Sequence, residues 1–339
     1  MAEIRSSLIV SLMSVSTLFL FACGQQAISP TNSPLPTAVV NVSSVLESPE
    51  IDALLASPSA NIPGVLIFVS DISGEHRIGM LDLRDNTIKT FTSSSIDTDP
   101  SLSSDNKKIV FITNRDRNPY YDIYIMNIDG SQQRPIRGDN DMPIRSNFAP
   151  VLSNDGRYVA FHSDRDLSGN MDIYIIDILD GRSQRLTNHP AMDTNPSWSP
   201  DGKRIVFSSD RDGDFDLYVI NPDGSDLRKL FDNPEHSDLF PKYSPNGQYI
   251  VFTTQFYLGG VDSHIALIRA DGSEYRQITQ GRGQFRHATW VGNRALVFSG
   301  RSNAYDKWQI FITSLENPNP IRLTWHQANF YNPSLVITK

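Results

Sequence analysis

The amino-acid sequence predicts an all-β fold made of repeated four-stranded sheets. Two observations carry this: a motif that recurs every 45 to 50 residues, and four short alternating apolar runs within each copy. The clearest copy runs from Pro196 to Leu230, PSWSPDGKRIVFSSDRDGDFDLYVINPDGSDLRKL. Related copies start at Pro100, Pro150 and Pro241, a degraded one at Ala288, and a last fragment at Pro333. In the Pro196 copy a first strand carrying Trp198 is followed by the tight turn Pro200-Asp201-Gly202. Arg204 to Ser208 and Leu217 to Ile220 are β-branched and aromatic, as strands prefer. Pro222-Asp223-Gly224-Ser225 is a second hairpin turn, leading into a last strand over Leu227 to Leu230. Helical repeats would instead place apolar residues at i, i+3 and i+4, and these units do not.

The ends of the chain set the number of units. Val65 to Thr92 holds strands two to four of a unit without its first strand. The chain stops just after Asn332-Pro333-Ser334-Leu335-Val336, a first strand with nothing behind it. Joining the two completes a unit and leaves no open sheet edge. The expected fold is therefore a six-bladed β-propeller in which the N- and C-terminal strands share one blade. It occupies residues 61–339.

Residues ahead of the propeller read as an address. Leu8 to Ala22 is a nearly unbroken apolar run, shorter than the roughly 20 residues that cross a bilayer and suited to a signal peptide. It ends in Leu20-Phe21-Ala22-Cys23-Gly24, and Cys23 is the one cysteine of the chain. This segment resembles the lipobox of bacterial lipoproteins, which implies cleavage after residue 22 and lipidation of Cys23. Residues 23–60 are rich in Ser, Pro and Asn and read as a flexible tether. A short helix near 48–56 is expected from Ser48 at the N-cap, Pro49 at the first turn and acids behind it. The chain is then exported and lipid-anchored to the bacterial cell envelope, in the periplasm or on the outer surface, as a monomer. A formal net charge of −8, with no run of Lys or Arg, opposes nucleic-acid binding.

The repeat motif P-x-W-S-P-D-G-K-x-I-x-F-x-S-x-R-D, with D-I-Y and D-G behind it, resembles that of TolB-type propellers, also seen in the propellers of prolyl oligopeptidases. The resemblance runs from Asn61 to the C-terminus and implies the propeller fold and contact with another protein or peptide at the channel mouth. The chain departs from TolB itself in having no α/β domain before the propeller and in carrying a lipid anchor.

No catalytic motif stands out: there is no G-x-S-x-G elbow, H-E-x-x-H, C-x-x-C or phosphate loop. No cofactor is implied and no metal is assigned, although two features leave metal binding open. Asp210-Arg211-Asp212-Gly213-Asp214-Phe215-Asp216 alternates carboxylates as calcium loops do. Asn114-Arg115-Asp116 and Asp164-Arg165-Asp166 recur at the same point of their blades, which favours an architectural role in which the Arg pairs with carboxylates. Asp122, Asp172 and Asp216 read as structural, and Trp198, Tyr243 and Trp290 as packing between blades. His189, His236, His287 and His326 fall in or near the loops that lead into first strands, and three of them meeting would make a metal site.

Those loops gather around one mouth of a propeller's central channel. Their polar and aromatic residues form the candidate binding surface: Asp97, Asp99, Asn147, Asp193, Asn195, Asp238, Arg286, His287, Tyr331 and Asn332. Capping of the loops' own amides is the competing role for each of the Asp and Asn residues. The functional expectation is a non-catalytic, membrane-anchored envelope propeller that binds a protein or peptide at this mouth. The alternative is a propeller lyase or hydrolase acting on an extracellular polymer through a His and metal site in the same place.

Overall fold

The computed structural model describes residues 64–337, apart from 83–86, 93–95, 117–118, 139–145, 167–169, 235, 257–261, 304 and 325–326. The expected signal peptide (1–22), Cys23, the tether (23–60) and the helix near 48–56 lie outside the described residues. Every regular element among the described residues is a strand. The chain opens with β1 (Gly64–Ser70), β2 (Arg77–Asp82) and β3 (Thr87–Thr90). Then come β4 (Asp97–Leu102), β5 (Lys108–Thr113), β6 (Asp122–Asn127) and β7 (Arg134–Pro135), followed by β8 (Asn147–Leu152), β9 (Tyr158–Ser163), β10 (Asp172–Asp177) and β11 (Ser183–Arg185). The third set is β12 (Asp193–Trp198), β13 (Ile205–Ser209), β14 (Asp216–Ile220) and β15 (Arg228–Phe231). The fourth is β16 (His236–Tyr243), β17 (Tyr249–Phe256), β18 (Ser263–Arg269) and β19 (Arg276–Gln277). The last is β20 (Gln284–Val291), β21 (Ala295–Arg301), β22 (Gln309–Ser314) and β23 (Ile321–Arg322), before the final strand β24 (Phe330–Ile337).

Within each set, consecutive strands pair antiparallel. A single parallel pairing, Ser263 with Gln284, joins the fourth set to the fifth. β24 pairs antiparallel with β1, placing Val65 opposite Val336 and Leu66 opposite Leu335, so its sheet runs β24-β1-β2-β3. First strands lie against one another in order, β4 to β8, β12, β16, β20 and β24, and β24 also touches β4.

A buried phenylalanine sits in the second strand of every set: Phe68, Phe111, Phe161, Phe207, Phe252 and Phe298. All six are fully buried, because alternation turns each toward the space between sheets. Trp198 shares a cluster with Ile173 and Ile175 of the preceding sheet and with Ile205 and Phe207 of its own. Trp290 does the same among Val251, Ile265 and Leu296. Each indole also donates its Nε1–H to a carbonyl of the preceding first strand, Trp198 to Val151 at 3.2 Å and Trp290 to Lys242 at 3.0 Å. Each tryptophan therefore fills volume and fixes the register of neighbouring sheets at once.

The turn after each first strand is built from the repeated Ser-x-Asp-Gly. In the Pro196 copy the Ser199 hydroxyl donates to Asp201 at 2.6 Å and accepts from the Arg204 amide at 2.9 Å. Gly202 supplies a φ of 70°, which a side chain would resist. Ser103 with Asp105, Ser153 with Asp155 and Ser244 with Asn246 repeat the hydroxyl bond. These bonds hold the Asp105, Asp155 and Asp201 carboxyls below the usual range.

Replacing Trp198 or Trp290 by Ala empties an inter-sheet space and removes a hydrogen bond. Each variant should lose about 3–5 kcal/mol in chemical denaturation. A loss under about 1 kcal/mol would show that these rings do not lock the sheets together.

Candidate binding site at the inner strands

Every first strand is broken by a bulge at the same repeat position, just ahead of the conserved-in-repeat proline or its substitute. Asp99, Ala149, Asn195, Phe240, His287 and Asn332 all have left-handed backbone, with φ between 45° and 57°. The pairing register with the second strand slips across each of these residues, β1 being the second strand beside β24. Left-handed φ costs a non-glycine residue about 1–2 kcal/mol. Phe and His at such positions are outliers that only surrounding structure can hold.

The bulge divides the expected site residues into two groups. On its outer side, two positions earlier, stand Asp97, Asn147, Asp193 and Asp238. The sequence places them in the loops at the channel mouth, but they lie within strands, and Asp97, Asp193 and Asp238 are fully buried. Hydrogen bonding explains the difference. Arg115 donates to Asp97 at 3.0 Å, Arg165 to Asn147 at 2.7 Å, and Arg211 to both oxygens of Asp193 at 2.8 and 3.0 Å. Each guanidinium also lies over aromatic rings of its own sheet: Arg115 4.8 Å from Tyr124, Arg165 4.7 Å from Tyr174 and Arg211 4.6 Å from Tyr218. The tyrosine hydroxyls in turn donate to Asp116, Asp166 and Asp212. The R-D…D-x-Y spacing is thus a latch between strands one, two and three. Asp216 is likewise spent on Lys229 at 2.8 Å, and Asp172 on Arg185 at 2.6 Å.

Asp238 breaks the pattern. The residue that aligns with Arg115, Arg165 and Arg211 is Phe256, whose ring lies 4.2 Å from that of His236. Neither Asp238 oxygen has a well-formed hydrogen bond, and burial pushes its carboxyl far above the usual range, with only partial relief from the Thr254 hydroxyl.

The second group is the bulge residues themselves, five of which touch a bulge residue of a neighbouring sheet. Asn332 donates to Asp99 at 2.9 Å, the Ala149 amide approaches the same carboxylate at 3.4 Å, and the Phe240 and His287 rings are 4.3 Å apart. The Asn195 amide donates to His162 at 3.3 Å. Asn332 Oδ1 and both His287 nitrogens have no hydrogen-bond partner. Burial lowers His287 to about 3, with help from Arg286 and Lys242, so its ring is neutral at physiological pH. Burial likewise raises the Asp99 carboxyl, though hydrogen bonds and Lys242 oppose it.

Lys242 was not among the expected residues. Burial lowers its amine to about 8 against the pull of Asp99. A signal was present in the sequence: the residue after the repeat proline is Ser101, Val151, Ser197, Thr289 or Ser334 elsewhere and is charged only here.

The remaining expected residues frame this cluster. Arg286 is held by Gln255 at 3.0 Å and Ser263 at 3.3 Å, and Tyr331 packs between His76 and Trp308. Among the described residues no three His, Cys, Asp or Glu side chains come together as a metal's ligands would. His189 is exposed and accepts from the Ala191 amide, and His326 lies outside the described residues.

Two contrasts test this division. Asp193→Asn leaves Arg211 without its counter-charge and should cost about 3 kcal/mol, whereas Asp238→Asn should be neutral or stabilising at pH 7. Phe256→Arg should raise the melting temperature by supplying the missing latch; equal losses for Asp193→Asn and Asp238→Asn would contradict this account. Lys242 has a folded pKa below its unfolded value, so the unfolded chain binds more protons between about pH 8 and 10.5, and stability rises over that window. Lys242→Met should therefore be more stable than the parent at pH 7, with the gap closing as pH approaches 10.5.

Comparison with known proteins agrees with this geometry. Residues 141–257 match the family model described as TolB beta propeller domain. The Tol-Pal system protein TolB of Syntrophus aciditrophicus is 45% identical over 53 residues, 15% of this chain and 12% of that protein. An uncharacterized peptidase of Bacillus subtilis, YuxL, is 29% identical over 156 residues, 45% of this chain and 22% of its own. The chain thus spans under a quarter of either relative. The crystal structure of TolB from Acinetobacter baumannii superposes with a TM-score of 0.66 at 20% identity, covering 82% of this chain and 68% of that one. The chain thus carries a TolB-type propeller match over residues 141–257 and shares its β-propeller fold with the TolB structure.

Proposed function

We propose that the four-stranded sets are six blades of one ring, closed by β24 against β1, and that the ring is a non-catalytic scaffold. It takes a protein or peptide of the cell envelope at the channel mouth, where the bulge residues gather. The observation that carries this reading is the polar capacity left open there. Asn332 Oδ1 and both His287 nitrogens are buried without partners, beside Lys242, whose amine burial lowers to about 8 against the pull of Asp99. Buried polar groups without partners cost about 1–3 kcal/mol each, and a segment entering the channel would relieve that cost. The relatives named for the Tol-Pal system support an envelope setting, and the apolar run before Cys23 supports export and lipid anchoring. The contact residues under this reading are Asp99, Asn195, Lys242, His287 and Asn332. Asp97, Asn147, Asp193 and Asp238 hold the strands behind them, with Arg286 and Tyr331 as the rim.

A second reading, a hydrolase or lyase acting on an extracellular polymer, draws on the peptidase among the relatives. It needs a catalytic set that His287 and its neighbours would have to supply.

Capture from native membranes distinguishes the readings. The full-length parent should retain a defined envelope protein after crosslinking. Lys242→Glu combined with Asn332→Ala should lose it while keeping the parent's circular dichroism. Retention of the same protein by the double variant would overturn the assignment of the mouth. Turnover of a polymer by the purified chain, abolished by His287→Ala, would favour the enzyme.

A further inference from the structure

A cavity of about 310 Å³ opens between the β4–β7 and β8–β11 sheets, at the opposite end of the first strands from the bulge cluster. That volume is at the lower end of the range for small-ligand sites. Its floor is Ile125, Met126 and Leu152, and its walls include Lys108 and Arg134. The repeat explains why space exists here. At the next interface the positions of Lys108 and Leu152 are held by Tyr158 and Trp198, whose rings are 6.5 Å apart. Two interfaces further on, they are held by Tyr249 and Trp290, packed in one cluster. Where those interfaces pack a partly buried tyrosine against a buried tryptophan, this one has an aliphatic residue and a lysine drawn aside to Asn127 at 2.6 Å. The acceptor's position in the repeat also recurs. Trp198 and Trp290 donate to the carbonyls of Val151 and Lys242, each the residue after the repeat proline, and the corresponding residue here is Ser101.

We propose that this cavity is a binding site for an indole ring. The ring lies on Leu152, Ile125 and Met126, directs its N–H toward the Ser101 carbonyl as the two resident tryptophans do in their interfaces, and has the Lys108 and Arg134 cations near its face. The chemistry is shared by free indole and by a tryptophan side chain presented on a peptide. The site is separate from the channel mouth and does not depend on the function proposed for it.

The test titrates the full chain with indole, N-acetyl-tryptophanamide and 1-methylindole, followed by methyl NMR. Indole should bind saturably and give contacts to the Ile125, Met126 and Leu152 methyls. Binding of 1-methylindole should be about tenfold weaker, the loss expected for one hydrogen bond. N-acetyl-tryptophanamide binding with the same contacts identifies a peptide as the source, and binding of indole alone identifies the free molecule. Leu152→Trp should fill the cavity, abolish indole binding and raise the melting temperature. Absence of saturable binding to the parent, binding without contact to these three methyls, or undiminished binding by a folded Leu152→Trp would overturn the proposal. Should Leu152→Trp not fold, the methyl contacts in the parent decide.

Discussion

The bulge in each first strand is the constraint on which the rest of the structure depends. A residue with left-handed backbone, placed before the repeat proline, splits every inner strand into two halves that face different partners. Below the bulge the strand belongs to its neighbour: Trp198 and Trp290 reach across to the preceding sheet and bind its backbone. Above it the strand belongs to its own sheet, through the bonds of Arg115, Arg165 and Arg211. At the bulge itself side chains of neighbouring sheets meet, Asp99 with Asn332 and Phe240 with His287. Strain repeated at six equivalent places is held by contacts on both sides, and that is the condition under which such backbone persists.

The arginine latch shows how repetition distributes electrostatics. Each carboxylate would be costly in a dry interior, yet Asp193 receives two bonds from a guanidinium that is itself stacked on Tyr218. The second carboxylate of the motif then takes the tyrosine hydroxyl, so no charged group of the unit stands alone. In the β16–β19 set the arginine is Phe256 and the tyrosine facing Phe252 is Ala266. Tyr275 and Phe231, stacked 5.6 Å apart with Tyr275 6.3 Å from Phe252, occupy the apolar part of that space. They supply no charge, and Asp238 is left to raise its pKa instead.

The same logic separates architecture from capacity for binding. Groups that the repeat satisfies internally have nothing left to offer a partner. Those at the bulges vary from copy to copy, an Asp, an Ala, two Asn, a Phe and a His, with Lys242 beside them. Variation concentrated where the backbone is held constant is how a repeated scaffold carries a specific surface. The inter-sheet cavity follows a similar rule, since a change of residue in one copy leaves space that its sisters fill.

The four-strand period, the turn chemistry and the inward tryptophans were legible in the sequence, because each depends on residues within one copy or on a comparison between copies. Aromatic Trp198 on an alternating strand next to a Ser-x-Asp-Gly turn has few other places to go. The architectural reading of Asp-Arg-Asp also came from recurrence alone. What the sequence could not distinguish was Asp97 from Asp99, two acids two residues apart in what read as one loop. Only the tertiary structure decided that the first is buried against Arg115 and the second faces Asn332, over 200 residues away in the chain. Backbone handedness at a single bulge sets that difference, and it is fixed by neighbouring sheets that no local window of sequence contains.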